Sequence, residues 1–558
     1  MITLKFITTS DLHGSIFQYD FIENEVTKTS LAQIYTYIQE QRLDDDQEVI
    51  LLDNGDMLQG QPVVYYSNYL DADSEHICSK VFNFMKYDAA AVGNHDIETG
   101  HKVFDKLKKE FNFPWLAANA VHKETKEPYF EPYTILNRKG VKIAIIGLIT
   151  PAIPNWLPEK IWKGIEFEDM IISAHKWVKQ VKATENPDVI IGLFHSGVNY
   201  KYNNQTAETY KNENASLLIA QQVPGFDIIF AGHDHQAHNM LVVNSKGEEV
   251  LLLDPKSLAN FVSVATIELD FNEKTQKFEK VDVTGMNLEM NFCETEESFD
   301  NEFGYYKDIV KEYVSKPIAV FTRAMNSRDA LFGNTAFVDL IHRVQLDATK
   351  ADVSFASPLS FNTKVNKGEI FVRDMFKIYK FENMLYSMRL TGQEIKDYLE
   401  YSYASWFNKM RHSNDSLLSF RINAKGGHYL KGKYYNFSSA SGINYVIHLD
   451  KELGERVEIL NFINKKKFDL KKEYIVAINS YRANGGGGHL VEGSKIKHED
   501  LEARIVSKSE KDLRAIIMDW IQEKGVVTPR SLENWRATPN LWWKKGKNKS
   551  LRMLFRYN

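Results

Sequence analysis

The chain has 558 residues, 43% of them hydrophobic and 26% charged, a globular balance that excludes a mainly disordered, collagenous or coiled-coil protein. At about 150 residues per domain the length allows two large domains as readily as four small ones. Its 69 Lys and Arg against 74 Asp and Glu give a net charge of −5, so no global positive field draws in nucleic acid.

Met1 leads directly into Ile2-Thr3-Leu4-Lys5-Phe6-Ile7-Thr8, which reads as a strand and not as a signal peptide. The best apolar run, Val141 to Ile149, is interrupted by Lys142 and closed by Pro151 and Pro154, too short to span a membrane. The expectation is a cytoplasmic protein with no membrane partner, or a secreted one if a leader has been trimmed. Cys78 and Cys293 lie too far apart in sequence for a disulfide framework or a thiolate zinc knuckle, and read as buried small hydrophobes.

The first half repeats one pattern of an apolar β-rich run, a polar cluster and a helix-like stretch. The runs are Leu4–Thr8, Val49–Leu52, Ala89–Val92, Lys142–Leu148, Val189–Phe194 and Asp227–Ala231. Leu31, Ile34, Tyr35 and Ile38 have helical spacing. Strands alternating with helices predict an α/β domain whose sheets are buried on both faces, with ligands beyond the carboxyl ends of the strands. Asp270 to Lys274 reads as a hairpin turn, and Phe303–Val314 as an amphipathic helix at the join between two domains.

A second α/β segment follows, with helices at Asn334–Asp347 and Gly392–Tyr401 and strands near Asp352–Ala356, Met384–Leu390 and Tyr474–Asn479. The tail from Leu541 carries Lys544, Lys545, Lys547, Lys549, Arg552 and Arg556 among Trp542, Trp543 and Phe555. Contact with RNA is one reading. A strap with docked aromatics and solvated cations is favoured, because one short basic run in an acidic chain is a weak signal. The resulting expectation is no stable nucleic-acid partner. Oligomeric state is not legible.

Chemistry-bearing residues gather where the first-half strands end. Asp11-Leu12-His13-Gly14 follows the first run, Asp53-Asn54-Gly55-Asp56 the second and Gly93-Asn94-His95-Asp96 the third; His195-Ser196-Gly197 and Gly232-His233-Asp234-His235 follow two later ones. Each alone reads as turn chemistry. Five together, all rich in oxygen and imidazole donors, point to two divalent cations sharing a bridging carboxylate. The donor types suit Mn, Zn, Fe or Co, and Gly14, Gly93 and Gly232 are read as tight-turn residues.

The ordered set DLHG, GD, GNHD, H and GHDH resembles the calcineurin-like metallophosphoesterase superfamily. The resemblance implies a four-layer α/β-β/α sandwich at 1–295, a linker helix region at 296–322 and a C-terminal α/β nucleotide-binding domain at 323–558. It implies one metal at Asp11, His13, Asp56 and His235, and another at Asp56, Asn94, His195 and His233. His95 would assist the leaving oxygen, oriented by Glu98, where the 5′-nucleotidase branch usually has Asp.

Gly333-Asn334-Thr335, Phe381-Glu382-Asn383 and Leu390-Thr391-Gly392-Gln393-Glu394 resemble the C-terminal domain of 5′-nucleotidases, in which two aromatics sandwich the base. The matching positions are Phe381 and Tyr481, with Asn383 a polar contact. Asn479 to Gly487, and Val527-Thr528-Pro529 with Asn534-Trp535, resemble 2′,3′-cyclic-nucleotide 2′-phosphodiesterase/3′-nucleotidases. The substrate-binding arginine that 5′-nucleotidases carry near Ser357–Ser360 is absent. The leading expectation is thus a cyclic phosphodiesterase and 3′-nucleotidase acting on a nucleotide. The alternatives are a 5′-nucleotidase or nucleotide-sugar hydrolase, and a nucleotide-binding protein on an inactive scaffold.

Overall fold

A computed structural model describes residues 1–202, 205–422 and 427–555; Arg556 of the basic tail lies outside them. The chain divides into two compact units, Met1–Tyr313 and Val314–Asn558.

The first unit contains two six-stranded sheets. One runs in the order Lys277–Glu289, Phe261–Asn272, Ile2–Thr9, Gln47–Asp53, Ala89–Ala91, Trp115–Leu116; the other runs Ala237–Val243, Glu249–Pro255, Ile228–Ala231, Val189–His195, Val141–Ile149, Tyr133–Arg138. All six apolar runs of the first half are strands of these sheets. Their alternation explains the layering. Ile143 and Ile145 point one way, into a dry core shared with Leu4, Phe6, Ile50 and Leu52 of the opposite sheet. Ala144, Ile146 and Leu148 point the other way, onto Ala174, Trp177, Val178 and Val181 of the helix Met170–Thr184. A strand buried on both faces carries no polar face, so its sequence is continuously apolar. Asp169 starts the covering helix by accepting the amides of Ile171 and Ile172 at 2.9 and 3.0 Å.

The expected hairpin is the antiparallel pair Phe261–Asn272 and Lys277–Glu289. The helix expected at Phe303–Val314 begins earlier, at Glu297, with Glu297 and Asp300 in its first turn, where acids favour a helix N-terminus. Phe299 packs against Phe17, Tyr35 and Phe84, which ties this helix to the first unit. Both cysteines are free and buried, as their isolation in sequence suggested.

The second unit is built on a five-stranded mixed sheet, ordered Ser439–Ser441, Val353–Ala356, Glu473–Asn479, Met384–Thr391, Ile505–Asp512. Helices Ala336–Thr349 and Leu513–Lys524 pack on one face through Leu340, Ile341, Val344, Ile517 and Ile521. Helix Gly392–Trp406 packs on the other through Ile395, Tyr398, Leu399, Tyr403 and Trp406. Thr391 and Glu394 form a reciprocal cap at the start of that helix.

The strap expected at the tail is a helix, Asn540–Leu554. Trp542, Trp543 and Phe555 pack on the core of this unit while Lys544, Lys545, Lys549 and Arg552 stay exposed. Helical spacing separates the two sets of residues, and Gly546 permits close approach: a Cβ there would lie 3.0 Å from the Leu417 amide. Among the described residues no helix is long and apolar enough to cross a membrane.

The two-sheet core yields a direct expectation. Ile145→Ala, at a fully buried position, should cost about 2–5 kcal/mol of stability. Ile172→Ala, on the exposed side of the covering helix, should cost within about 0.5 kcal/mol. Urea unfolding of both variants measures the contrast.

Candidate metal centre and catalytic site

The five polar clusters meet at the carboxyl ends of the central strands of the first unit. Asp11 and His13 follow Ile2–Thr9, Asp56 follows Gln47–Asp53, and Asn94 and His95 open the short helix Asn94–Glu98 after Ala89–Ala91. His195 ends Val189–His195, and His233 and His235 follow Ile228–Ala231. Single donor atoms of Asp11, His13 and His235 lie within 4.8 Å of one another, and so do those of Asp56, His195 and His233.

Reaching that arrangement strains the backbone. Asp11, His13, Asp56, His233 and His235 have φ of 50, 47, 61, 75 and 58°, a left-handed conformation that costs a non-glycine residue about 1–3 kcal/mol. Cross-loop hydrogen bonds hold it. The Asp11 amide donates to the Gly55 carbonyl at 2.9 Å, and the His13 amide to the Asp56 carbonyl at 3.0 Å. The fully buried Asp96 carboxylate accepts the amides of Asp56, Met57, Leu58 and Gly93 at 2.8–3.1 Å, locking the second cluster onto the third. Two of the glycines read as turn residues serve close approach instead. A Cβ on Gly93 would lie 2.2 Å from Asp56 Oδ1, and one on Gly232 would lie 2.2 Å from Ser10 Oγ.

The inward atoms are imidazole nitrogens set against carboxylate and amide oxygens. His195 Nδ1 donates to the Asn54 carbonyl at 2.6 Å, which turns Nε2 inward. That Nε2 faces Asp56 Oδ2 and Asn94 Oδ1, both at 3.2 Å. His13 Nδ1 lies 2.9 Å from the Gln59 carbonyl, which turns the bare Nε2 of His13 to His235 Nε2 at 3.1 Å. The same His235 nitrogen is 3.2 Å from Asp11 Oδ1. So many lone-pair atoms brought together call for positive charge among them, on imidazole protons or on cations.

Protons on the imidazoles meet part of that demand. Burial opposes ionisation of Asp11, yet the His235 hydrogen bond and the charges of His235 and His195 outweigh it and hold the carboxyl at about 2. Burial, then the neighbouring His235, depress His13 to about 3, leaving it neutral. Burial also opposes a charged His195, but Asp56 overcomes it and lifts this imidazole to about 10. Imidazole, carboxylate and amide oxygen without thiolate fit divalent cations of the hard to borderline class.

His95 and Glu98 form a close pair, Nδ1 to Oε2 at 2.5 Å, and the His95 ring is 5.4 Å from that of His13. Three further residues shape the site without having been assigned a role from sequence. Asp96 stands inside the GNHD run, but its work is visible only once two loops meet. Trp156 stacks on His233, centroids 5.5 Å apart and planes at 25°, and Glu213 Oε1 lies 3.4 Å from His233 Nε2. Neither is near a strand end, the signal that exposed the other residues. Asp234, between the two histidines, accepts the amides of Val198 and Gln236 at 3.0 and 2.9 Å.

The remaining predicted residues belong to the second unit. Strands Met384–Thr391 and Glu473–Asn479 pair antiparallel, with Leu385 opposite Asn479. The loop before the first and the turn after the second therefore emerge at the same sheet end, which brings Phe381 and Tyr481 to one edge, both half-buried. The Asn383 side chain hydrogen-bonds the Tyr379 hydroxyl, and its carbonyl accepts the Leu513 amide at 2.7 Å. The glycine run after Tyr481 is a built loop: buried Arg482 donates to the carbonyls of Gly486 and Tyr435 at 2.9 and 2.8 Å. Gly487, at φ 72°, leaves room for that guanidinium, since a Cβ there would fall 1.9 Å from Nη1.

Facing sheets with His, Asp and Asn donors at their carboxyl ends define a metal-dependent phosphoester hydrolase. Residues 4–237 match the family Calcineurin-like phosphoesterase, and residues 314–492 match 5′-nucleotidase, C-terminal domain. The chain belongs to the calcineurin-like metallophosphoesterases that carry a 5′-nucleotidase C-terminal domain.

It is 25% identical to the trifunctional nucleotide phosphoesterase protein YfkN of Bacillus subtilis, over 96% of this chain and 39% of that longer protein. It is 26% identical to the 2′,3′-cyclic-nucleotide 2′-phosphodiesterase/3′-nucleotidase of Haemophilus influenzae, over 96% of this chain and 88% of the other. A crystal structure of a Staphylococcus aureus protein in complex with α-ketoglutarate shares the fold, with a TM-score of 0.79 at 20% identity, over 96% of this chain and 99% of that one.

Asp96→Ala would leave four buried amides without their common acceptor. At about 1–3 kcal/mol per unsatisfied group, the variant should lose at least about 3 kcal/mol, read as a lowered urea midpoint.

Proposed function

We propose that the chain hydrolyses 2′,3′-cyclic nucleotides to 3′-nucleotides and then removes the 3′-phosphate. The observation that carries this reading is the near full-length similarity to the Haemophilus influenzae enzyme of that name. It agrees with the Asn479 to Gly487 loop and with the absence of an arginine near Ser357–Ser360. A 5′-nucleotidase is the second reading, favoured by 26% identity to the 5′-nucleotidase of Vibrio cholerae over 71% of this chain.

Asp11, His13, Asp56 and His235 would hold one cation and Asp56, Asn94, His195 and His233 the other, with Asp56 shared. Mn, Zn, Fe and Co all suit these donors. Bound there, two divalent ions supply Lewis acidity toward phosphoryl oxygens and bring the pKa of water toward neutrality.

The chain's own residues do the rest. Asp56 sets the spacing of the two halves of the site, since its carboxylate faces His195 and accepts the His95 amide at 2.8 Å. His95, whose Nδ1 is engaged by Glu98, turns Nε2 toward the leaving oxygen. Water adds to phosphorus and loses a proton to solvent, the bond from phosphorus to O2′ breaks, and His95 gives its Nε2 proton to O2′ and regains one from solvent. The second hydrolysis repeats these roles at O3′. Phe381 and Tyr481 offer aromatic faces on which any base can stack, worth about 1–3 kcal/mol per base.

A panel of 2′,3′-cyclic AMP, 3′-AMP and 5′-AMP with added Mn²⁺, Zn²⁺, Co²⁺ or Mg²⁺ tests the reading. The first two should be preferred, and preference for 5′-AMP would replace it with the second reading. Asp56→Asn should lower turnover on every substrate by at least about a hundredfold. His95→Asn should cost about 10²–10⁴-fold on nucleotides and much less on p-nitrophenyl phosphate, whose leaving group needs no proton. Tyr481→Ala should weaken nucleotide hydrolysis while sparing p-nitrophenyl phosphate; equal loss on both, with a lowered melting temperature, would make Tyr481 a packing residue.

A further inference from the structure

Among the seven donors at the site, His233 is held unlike the other buried imidazoles. His13 and His195 each place Nδ1 against a main-chain carbonyl, and these bonds fix which nitrogen is bare. For His233 the corresponding partner is a carboxylate: Glu213 Oε1 at 3.4 Å from Nε2. Both side chains are largely buried, at 12% and 10% exposure. Trp156 covers the ring. The backbone at His233 is itself left-handed, with φ of 75°.

We propose that Glu213 is a positioning residue for the second cation. Its carboxylate accepts the Nε2–H of His233, selects the tautomer whose Nδ1 is bare, and aims that nitrogen at the cluster shared with Asp56 and His195. A carboxylate behind an imidazole also raises the basicity of the nitrogen opposite, which strengthens it as a donor to a cation. The inference rests on the two-cation reading of the site.

Glu213 is well placed for this work because its main chain is anchored independently. Its carbonyl accepts the hydroxyls of Thr150 and Ser196, both at 2.9 Å, and its amide donates to Gln205 Oε1 at 3.0 Å. Exchanging the side chain leaves these bonds in place.

The test uses the full chain stripped of metal by chelation and reloaded with Mn²⁺ or Zn²⁺. Ions per chain are counted by mass spectrometry of the metal, and affinities are read by calorimetry. Wild type should take up two ions. Glu213→Ala should keep the ion at Asp11, His13 and His235 with unchanged affinity and bind the other about 10–100-fold more weakly. Glu213→Gln retains an amide oxygen that can accept the Nε2 proton, so it should recover most of that loss. Melting temperatures of all three proteins before metal is added should agree.

Equal affinity for both ions in wild type and Glu213→Ala would overturn the role of Glu213 while leaving the two-cation reading intact. Failure of wild type to bind two ions would overturn that reading and this inference with it. A Glu213→Ala variant that melts early and loses both ions together, without rescue by Gln, would make Glu213 a structural residue.

Discussion

Seven side chains rich in lone pairs converge at the carboxyl ends of the central strands, and they can do so only with positive charge among them, on imidazole protons or on cations. This constraint governs the first unit. His195 Nε2 faces two oxygens at 3.2 Å, and His13 faces His235 nitrogen to nitrogen at 3.1 Å. The folded chain supports that electrostatic debt with the local strain of five left-handed residues and with hydrogen bonds between loops. The cost is tolerable because the strands beneath are held by a shared apolar core, so the strained turns do not have to stabilise the fold.

The division of labour between sheet and turn follows from the direction of the strands. Parallel neighbours end on the same side, which delivers Asp56 beside Asn94 and His195 beside His233 without any contact between them being needed during strand formation. Asp96 then connects turns from different strands through amides that would otherwise be buried and unpaired. Its role is mechanical. In the second unit Arg482 does comparable work, pinning a glycine run by its carbonyls.

By itself the sequence determined the strands, because both-face burial writes itself as unbroken apolar runs, and it placed His, Asp and Asn residues within five positions of the ends of such runs. The assignment of Asp11, His13, Asp56, Asn94, His195, His233 and His235 to two cations, and of Glu98 behind His95, came from the resemblance to calcineurin-like metallophosphoesterases; the fold brings the His95 and Glu98 side chains to 2.5 Å. Only the tertiary structure decided what lies behind the donors. Glu213 and Trp156 reach His233 from 20 and 77 positions away along the chain, from segments with no periodic or strand-end signature. Asp96 was visible as a letter in a motif but not as the acceptor of four amides, since those amides belong mainly to another loop. The helical form of the tail escaped composition for a similar reason: its aromatics and lysines separate onto two faces only when there is a core to receive the aromatics. Local pattern fixes what repeats along the chain, whereas contacts between distant segments depend on how strands align, and that alignment is a property of the folded whole.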